Sequence, residues 1–580
     1  MFLESIRLQR FRSCHDAEIS LQPDLTVLVG ENNGGKTNVI DAIRLLIMPL
    51  TGRRDRYPEE EDLRRGSAER DFRIQGRFSG LSDALKGLLV SALPDPRVDV
   101  AFFGLRHEIR SAEAPRGKTT PWVGRFDNAE PESGSTNLIR HVYLPPLRDA
   151  QQALGTGSAT RIAALLQHFL EDGEEANFIE HVRRNQEPHR VITAVNDEIG
   201  SALGNLTGGV RPQASALGFA DEKLLDVARD LRFKMADVGI APEEIRSSGL
   251  GYANLLYIAT VAVELARARE ADLTLFLVEE PEAHLHPQLQ MLVLNFLLEQ
   301  AQGSLANPAP GAPEGRVQVI VTTHSPNLTA WVSPKHLVVI RSKREEGGAQ
   351  ASPQTVCIPI AKIGLRPASL NKISRYLDVT RSALLFGNRA LLVEGVAEAL
   401  LLPVIARHVV LKDDHAGWLR FQGSVFVPIG GVDFKPYVEV LLRPYAGARI
   451  ADSIVVVTDA DPTVPGNRKN ELEELAAELG GHLEVFVNEQ TLEHELFLAG
   501  NETLLKNTFL AIHRNSGPDW AARVEAVQER DRPAAFLTLL DTKKTRKGDL
   551  AQELAARIAK NAPFVPPAYL REAITAAARA

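Results

Sequence analysis

Residues 30–37 read Gly-Glu-Asn-Asn-Gly-Gly-Lys-Thr and fit the pattern Gly-x-x-x-x-Gly-Lys-[Ser/Thr]. Glycines at those positions let backbone N–H groups close around phosphate oxygens. A helix opening at the end of the loop turns its positive dipole end on the same anion. Lys36 is expected to neutralise the β- and γ-phosphates of ATP and Thr37 to offer a hydroxyl to Mg²⁺. Asn32, Asn33, Gly34, Gly35 and Asn38 complete the expected cradle. Glu279 and Glu280 end the apolar run 273–278, so Glu279 can serve the Mg²⁺ shell and Glu280 can orient or deprotonate water. Thr322-Thr323-His324-Ser325 closes another buried run, where His324 can sense the γ-phosphate. Ser248, Gly249 and Gly251 stand at a helix entrance, where such residues either grip a phosphate or cap the helix.

A second set of acids lies further on. Glu394 follows the apolar run 390–393, and Glu398, four residues later at a helix start, falls on the same face. Asp459 and Asp461 end the run 454–458 and point to one side of an extended chain. Strand ends of a parallel sheet share an edge, so these four carboxylates can meet. Such a cluster needs hard cations to neutralise it, and Mg²⁺ or Mn²⁺ suits carboxylate oxygen. Two ions about 4 Å apart activate water and stabilise the leaving oxygen in phosphodiester cleavage. Between the acids, Ile429-Gly430-Gly431 forms a tight turn that lets backbone approach a phosphate.

These residues need strands that end at them. Apolar runs at 25–29, 273–278 and 317–321 read as buried strands of a nucleotide-binding core. Val39, Ile40, Ile43, Leu46 and Ile47 give a helix after the phosphate loop. Runs at 390–393, 425–429, 454–458 and 483–487 alternate with helical stretches and imply a small parallel α/β unit. Residues 53–70 and 112–137 look like excursions from the core. Residues 150–235 read as helical and largely polar, with a stripe of Ile162, Leu165, Leu166, Phe169 and Leu170; 343–353 looks like a hairpin tip and 361–388 like a linking region.

A chain of 580 residues needs several cores, and 24% charged with 44% hydrophobic residues is the composition of a globular protein. No apolar run approaches bilayer length, so no membrane association is expected. Residues 1–7 carry no basic segment followed by an apolar core, and Cys14 and Cys357 are the two cysteines; both point to a cytoplasmic protein. A net charge of −8 argues against a broad nucleic-acid-coating surface while leaving 66 Lys and Arg for a local groove.

The phosphate loop, the Glu279-Glu280-Pro281-Glu282-Ala283-His284-Leu285-His286-Pro287 run and His324 resemble the ABC ATPases of the recombination and chromosome-maintenance group, with a degenerate signature at 246–251. Glu279 stands where that group usually has Asp. The signature of such ATPases grips the partner subunit's nucleotide, which implies a dimer. His284 and His286 read as loop packing rather than metal ligands.

The order Glu394-Gly395, Gly430-Gly431, Asp459-x-Asp461 resembles the Toprim domain. An ABC ATPase followed by a Toprim domain resembles the overcoming-lysogenization-defect (OLD) family of nucleases over nearly the whole chain.

The resemblance implies an α/β fold: an ABC-type P-loop ATPase in two parts, 1–150 and 236–375, and a helical dimerisation insert at 151–235. A Toprim nuclease domain at 376–500 and a helical region at 501–580 follow. It also implies that Glu493, in Thr491-Leu492-Glu493, helps hold metal, with Glu495 as a rival. Lys547 would stabilise charge on the phosphorus, with Lys543 or Lys544 as alternatives. Tyr143-Leu144-Pro145-Pro146-Leu147-Arg148-Asp149 also looks familial, without a mechanism. The implied activity is ATP binding and hydrolysis together with ATP-regulated, divalent-metal-dependent DNA cleavage in repair or phage defence, with ATP and Mg²⁺ at one site, two Mg²⁺ or Mn²⁺ ions at the other, and DNA, a second copy and a further protein as partners. The alternative is a DNA-bridging ATPase without nuclease activity, which calls for long coiled-coil arms that 151–235 is too short to supply. A topoisomerase would need a nucleophilic tyrosine, for which Tyr437 and Tyr445 are the candidates.

Overall fold

Continuous apolar runs belong inside parallel sheets, and alternating ones on half-covered antiparallel sheets. The computed structural model of the chain contains both. It describes residues 1–50, 52, 54, 56–109, 117–126, 129–132, 134–146, 166, 169–170, 174, 177–178, 189–207, 213–219, 231–237, 243–244, 250–266, 271–305, 312–343, 353–376, 379–431, 433–460 and 468–579. The chain divides into two units, Met1–Ala361 and Lys362–Ala580.

The strands of the first unit are β1 (Phe2–Phe11), β2 (Cys14–Ser20), β3 (Leu25–Val29), β4 (Met48–Pro49), β5 (Asp71–Ser79), β6 (Val100–Glu108), β7 (Lys118–Val123), β8 (Ile139–Leu144), β9 (Gln213–Phe219), β10 (Leu231–Asp237), β11 (Glu243–Glu244), β12 (Leu273–Glu279), β13 (Arg316–Thr323), β14 (Leu337–Lys343) and β15 (Gln354–Pro359). One sheet has the order β15-β14-β3-β13-β12-β8-β4 and is parallel except for the β14–β15 hairpin; its central strands β3 and β12 are buried at every position. The second, β2-β1-β5-β6-β7, is antiparallel. The helix Lys36–Leu46 shares a core with both sheets, burying Val39, Ile40, Ile43 and Leu45. Fully buried Gln318 ties the sheets together by accepting from Leu3 N–H and donating to Leu3 O and Gln22 O. Every polar atom of that amide that could be orphaned is thereby used.

Several stretches differ from their sequence reading. Within 150–235 the helix Arg190–Thr207 forms, but β9 and most of β10 also fall there and, with β11 just beyond, make a three-stranded antiparallel sheet. Leu231, Phe233 and Met235 alternate with polar residues, and that period of two decides for strand. Ile162 and Leu165 lie outside the described residues. The charged stretch 53–70 is no mere excursion, since Asp62 and Arg64 are buried, and β7 within 112–137 is a strand of the antiparallel sheet. Residues 361–388 include the helix Pro367–Tyr376, tied into the second unit by Ser369 Oγ donating to Glu439 at 2.9 Å.

The second unit holds β16 (Arg389–Val393), β17 (Val425–Pro428), β18 (Ser453–Thr458) and β19 (Leu483–Val487) in the order β17-β16-β18-β19, all parallel. Val393 lies opposite both Pro428 and Val457, and Thr458 opposite Val487, so the four strands finish on one edge. The helices Val396–Ile405, Leu492–Leu498, Glu502–Ile512, Arg532–Thr542, Lys547–Ala559 and Ala568–Ala577 build one core with the sheet around fully buried Trp520, Phe509, Phe536 and Leu570. No helix among the described residues is long and apolar enough to cross a membrane.

Candidate active sites

The phosphate loop joins β3 to the helix Lys36–Leu46. Gly30 and Gly35 have φ of 143° and 106°, and Asn33 has 62°, so the loop turns at three positions through positive-φ backbone. A Cβ on Gly30 would lie 2.0 Å from Ile340 O on β14, and one on Gly35 would lie 2.5 Å from Thr355 Oγ1 on β15. Thr355 also donates to Gly34 O at 3.1 Å. The hairpin therefore braces the outer side of the loop. No side chain caps the helix start, which leaves its first N–H groups for an anion.

Buried Lys36 donates from Nζ to Gly30 O at 2.8 Å and Glu31 O at 2.7 Å, and lies 3.3 Å from His324 Nδ1. Burial pulls its pKa down to about 8 against the opposing charges of Glu280, Glu282 and Glu31. Asn32, Asn33 and Thr37 are exposed. The Asn38 amide is turned to the scaffold, donating to Ser13 Oγ at 2.7 Å and accepting from Arg12 at 3.2 Å.

At the end of β12, Glu279 is 3% exposed and accepts from Tyr143 Oη at 2.5 Å, with the Thr37 side chain beside it. Burial raises its carboxyl above the ordinary range. Glu280 leaves the strand in left-handed backbone, φ 45°, with its carboxylate 3.3 Å from His324 Nε2. Thus Lys36, Glu280 and His324 converge. Glu282, which the sequence reading passed over, holds His324 in place: its Oε1 accepts from His324 N–H and from the Thr323 hydroxyl, each at 2.7 Å. His284 is exposed, and His286 caps the helix Pro287–Gly303. Gly251 packs against His284 O, and Asn254 donates to Ala283 O at 2.7 Å, which fixes the helix Leu250–Ala266 to the loop beyond β12. Ser248 and Gly249 lie outside the described residues.

In the second unit, the carboxyl edge of the sheet gathers acids. Glu394 Oε2 accepts from the Thr458 hydroxyl at 2.8 Å and Asp459 N–H at 3.2 Å, while its carbonyl accepts from Gly430 and Gly431 N–H. Glu398 is buried and accepts from Gly395 N–H at 3.0 Å; burial, with the charges of Glu394 and Glu493, holds its carboxyl above the usual range. Burial first, then Glu398 and Glu394, push Asp459 up to about 7. Asp459 is held by Leu492 N–H at 3.3 Å and by the Asn488 amide, whose Oδ1 accepts from Ala460 N–H at 3.0 Å. Tyr569 of the last helix reaches Asn488 at 3.4 Å.

The helix starting at Lys547 packs along the one carrying Glu398, bringing Lys547 Nζ to 3.4 Å from Glu493 Oε2. Burial works against that ammonium, but Glu493 and Asp459 raise its pKa. Lys543 is committed elsewhere, to Asp519 at 2.5 Å, and no contact with the acids is found for Lys544 among the described residues. Asp461 lies outside the described residues. Asn488 escaped the sequence reading because it belongs to no motif. Its signal is its place, one residue past the end of β19 on the edge that β16 and β18 supply with acids.

The donors suit a hard cation. All are carboxylate oxygens, burial and the neighbouring carboxylates raise Glu398 and Asp459, and Glu493 Oε2 is buried without a well-formed hydrogen bond. Among the described residues no three such groups converge tightly enough to ligate one ion.

Residues 25–330 match the family "AAA domain, putative AbiEii toxin, Type IV TA system", and residues 385–461 match the family "Overcoming lysogenization defect protein-like, TOPRIM domain". The OLD nuclease of Thermus scotoductus is 23% identical over 426 residues, covering 68% of this chain and 72% of the relative. The endonuclease GajA of Bacillus cereus is 20% identical over 482 residues, 76% and 72% of the two chains, and the Old nuclease of Escherichia phage P2 is 22% identical over 436 residues, 70% of each. The two domains imply use of a nucleotide and of divalent metal. The first family model spans more than half of the chain, so the chain belongs to that AAA family, and with the Toprim match and these relatives it is a member of the OLD nucleases, an N-terminal ATPase joined to a C-terminal Toprim domain.

Proposed function

We propose that the chain is a divalent-metal-dependent DNA endonuclease controlled by ATP, cutting phosphodiester bonds at the carboxyl edge of the β17-β16-β18-β19 sheet. The observation that carries this reading is that Glu394, Glu398, Asp459 and Glu493 gather on one sheet edge beside Lys547, where burial and the neighbouring carboxylates raise the pKa of Glu398 and Asp459. In this reading Glu394, Glu398, Asp459, Asp461 and Glu493 hold two Mg²⁺ or Mn²⁺ ions, which when bound supply an activated water and charge neutralisation. Lys547 stabilises negative charge on the phosphoryl oxygens, and the N–H groups of the Gly430-Gly431 turn lie beside Glu394 to steady the backbone. Asn488 and Leu492 N–H orient Asp459.

At the other site, Lys36 and the loop N–H groups bind the ATP phosphates, with Asn32, Asn33, Gly34 and Gly35 shaping the cradle. Thr37 and Glu279 hold Mg²⁺, Glu280 orients or deprotonates water, and His324 reports on the γ-phosphate. Ser248, Gly249 and Gly251 would contact the nucleotide of a second copy, with 151–235 as the dimerisation insert within an ATPase of 1–150 and 236–375. A cytoplasmic setting and a role in phage defence or repair follow from the same reading. The DNA-bridging alternative leaves the acid cluster without use. Tyr437 is 5% exposed and so a poor topoisomerase nucleophile.

Supercoiled plasmid incubated with the protein should be nicked and linearised with Mg²⁺ or Mn²⁺ and left intact in EDTA. Lys547→Ala should slow the cutting by about a hundredfold. Cutting in EDTA, or religated topoisomers in place of nicked and linear DNA, contradicts the reading.

A further inference from the structure

Glu279 stands where aspartate is usual, and the Tyr143-Leu144-Pro145-Pro146 run has had no role. The structure joins these two facts. Tyr143 lies on β8 opposite Leu277 of β12, so its side chain shares a sheet face with Glu279, two residues further along. Its hydroxyl donates to Glu279 Oε2 at 2.5 Å. The Arg44 guanidinium sits 3.7 Å from the centre of the Tyr143 ring and is paired with Asp41 at 3.0 Å, which is itself paired with Arg12 at 2.8 Å. Arg44 and Asp41 belong to the helix Lys36–Leu46, whose first turn carries Thr37, and the Thr37 side chain lies beside the same Glu279 carboxylate and acts to lower its pKa. One helix thus supplies both the hydroxyl beside the carboxylate and the platform under the phenol.

A glutamate has one more rotatable bond than an aspartate, and a carboxylate on the longer arm sweeps a wider arc unless something holds it. We propose that Tyr143 is a positioning residue for the metal of the ATP site: its hydroxyl pins the Glu279 carboxylate beside Thr37, which lets glutamate serve where the shorter aspartate is usual. Cation–π stacking on Arg44 fixes the ring, and the Asp41–Arg12 pairs fix Arg44. Tyr143 donates, so the carboxylate keeps its charge and its remaining lone pairs for the cation.

The proposal rests on the ATP-site reading above, and the affinity of the full chain for a fluorescent ATP analogue, titrated in Mg²⁺ and in EDTA, tests it. Tyr143→Phe keeps the ring over Arg44 and removes only the hydroxyl. It should cost about tenfold of the affinity gained from Mg²⁺ and leave the affinity in EDTA unchanged. In a Glu279→Asp background the same substitution should have no further effect, because the shorter carboxylate does not reach the phenol. An intact Mg²⁺ gain in Tyr143→Phe, an equal loss in both backgrounds, or a loss of the same size in EDTA overturns the proposal. A wild-type chain that binds no analogue under either condition overturns the ATP-site reading itself, and the proposal with it.

Discussion

Asp459 carries a strong electrostatic signature of its place among the acids. Its carboxyl, ordinarily at 3.8, is pushed up to about 7 by burial and by Glu398 and Glu394. A carboxyl raised in the folded state contributes stability that is fully present below 3.8 and is lost as pH rises through about 7. Between pH 6 and 8 the loss is about 1.4 kcal/mol, or roughly 4 °C in melting temperature. Melts in EDTA at the two pH values should show wild type dropping by about that much more than Asp459→Asn. Equal drops contradict the assignment. At this scale the sequence is readable where chemistry repeats a spacing: Lys36 and Thr37 in a glycine loop, Glu394 and Asp459 at the ends of apolar runs. It gives no role for Asn488 or Glu282, and none for Tyr143 beyond a familial look, because their contacts arise from which strand end or loop faces which carboxylate.

Elements place these side chains, and the β14–β15 hairpin shows how tightly. Gly30 pairs a φ of 143° with a prospective Cβ 2.0 Å from the backbone oxygen Ile340 O, an atom that cannot swing aside. Gly52 also has a positive φ, 75°, yet nothing lies within 4 Å of its prospective Cβ. Gly30→Ala should therefore cost at least about 3 kcal/mol and abolish nucleotide binding, whereas Gly52→Ala should cost about 1 kcal/mol and spare it. Thermal melts and nucleotide titration of the two variants separate steric contact from backbone strain; equal effects contradict the bracing role of the hairpin. The parallel strands were legible because burial on both faces leaves unbroken apolar runs, as in β3 and β12. The strand β10 was not, because its alternation of Leu231, Phe233 and Met235 is short and set among polar residues that also suit a helix.

At the scale of the molecule, two units each carry an apolar core and a separate set of chemical groups. The residues proposed for the nucleotide site, Lys36, Glu279, Glu280 and His324, gather on the first. Acids gather on the second, around Asp459. The central claim is that phosphodiester cleavage belongs to the second set and nucleotide turnover to the first. The direct test measures ATP turnover and plasmid cutting on the same preparations of wild type, Asp459→Ala and Lys36→Ala. The account predicts that Asp459→Ala loses cutting by about a hundredfold or more while ATP turnover stays at the wild-type level, and that Lys36→Ala loses turnover. Wild-type cutting by Asp459→Ala, or loss of ATP turnover in that variant, would contradict it.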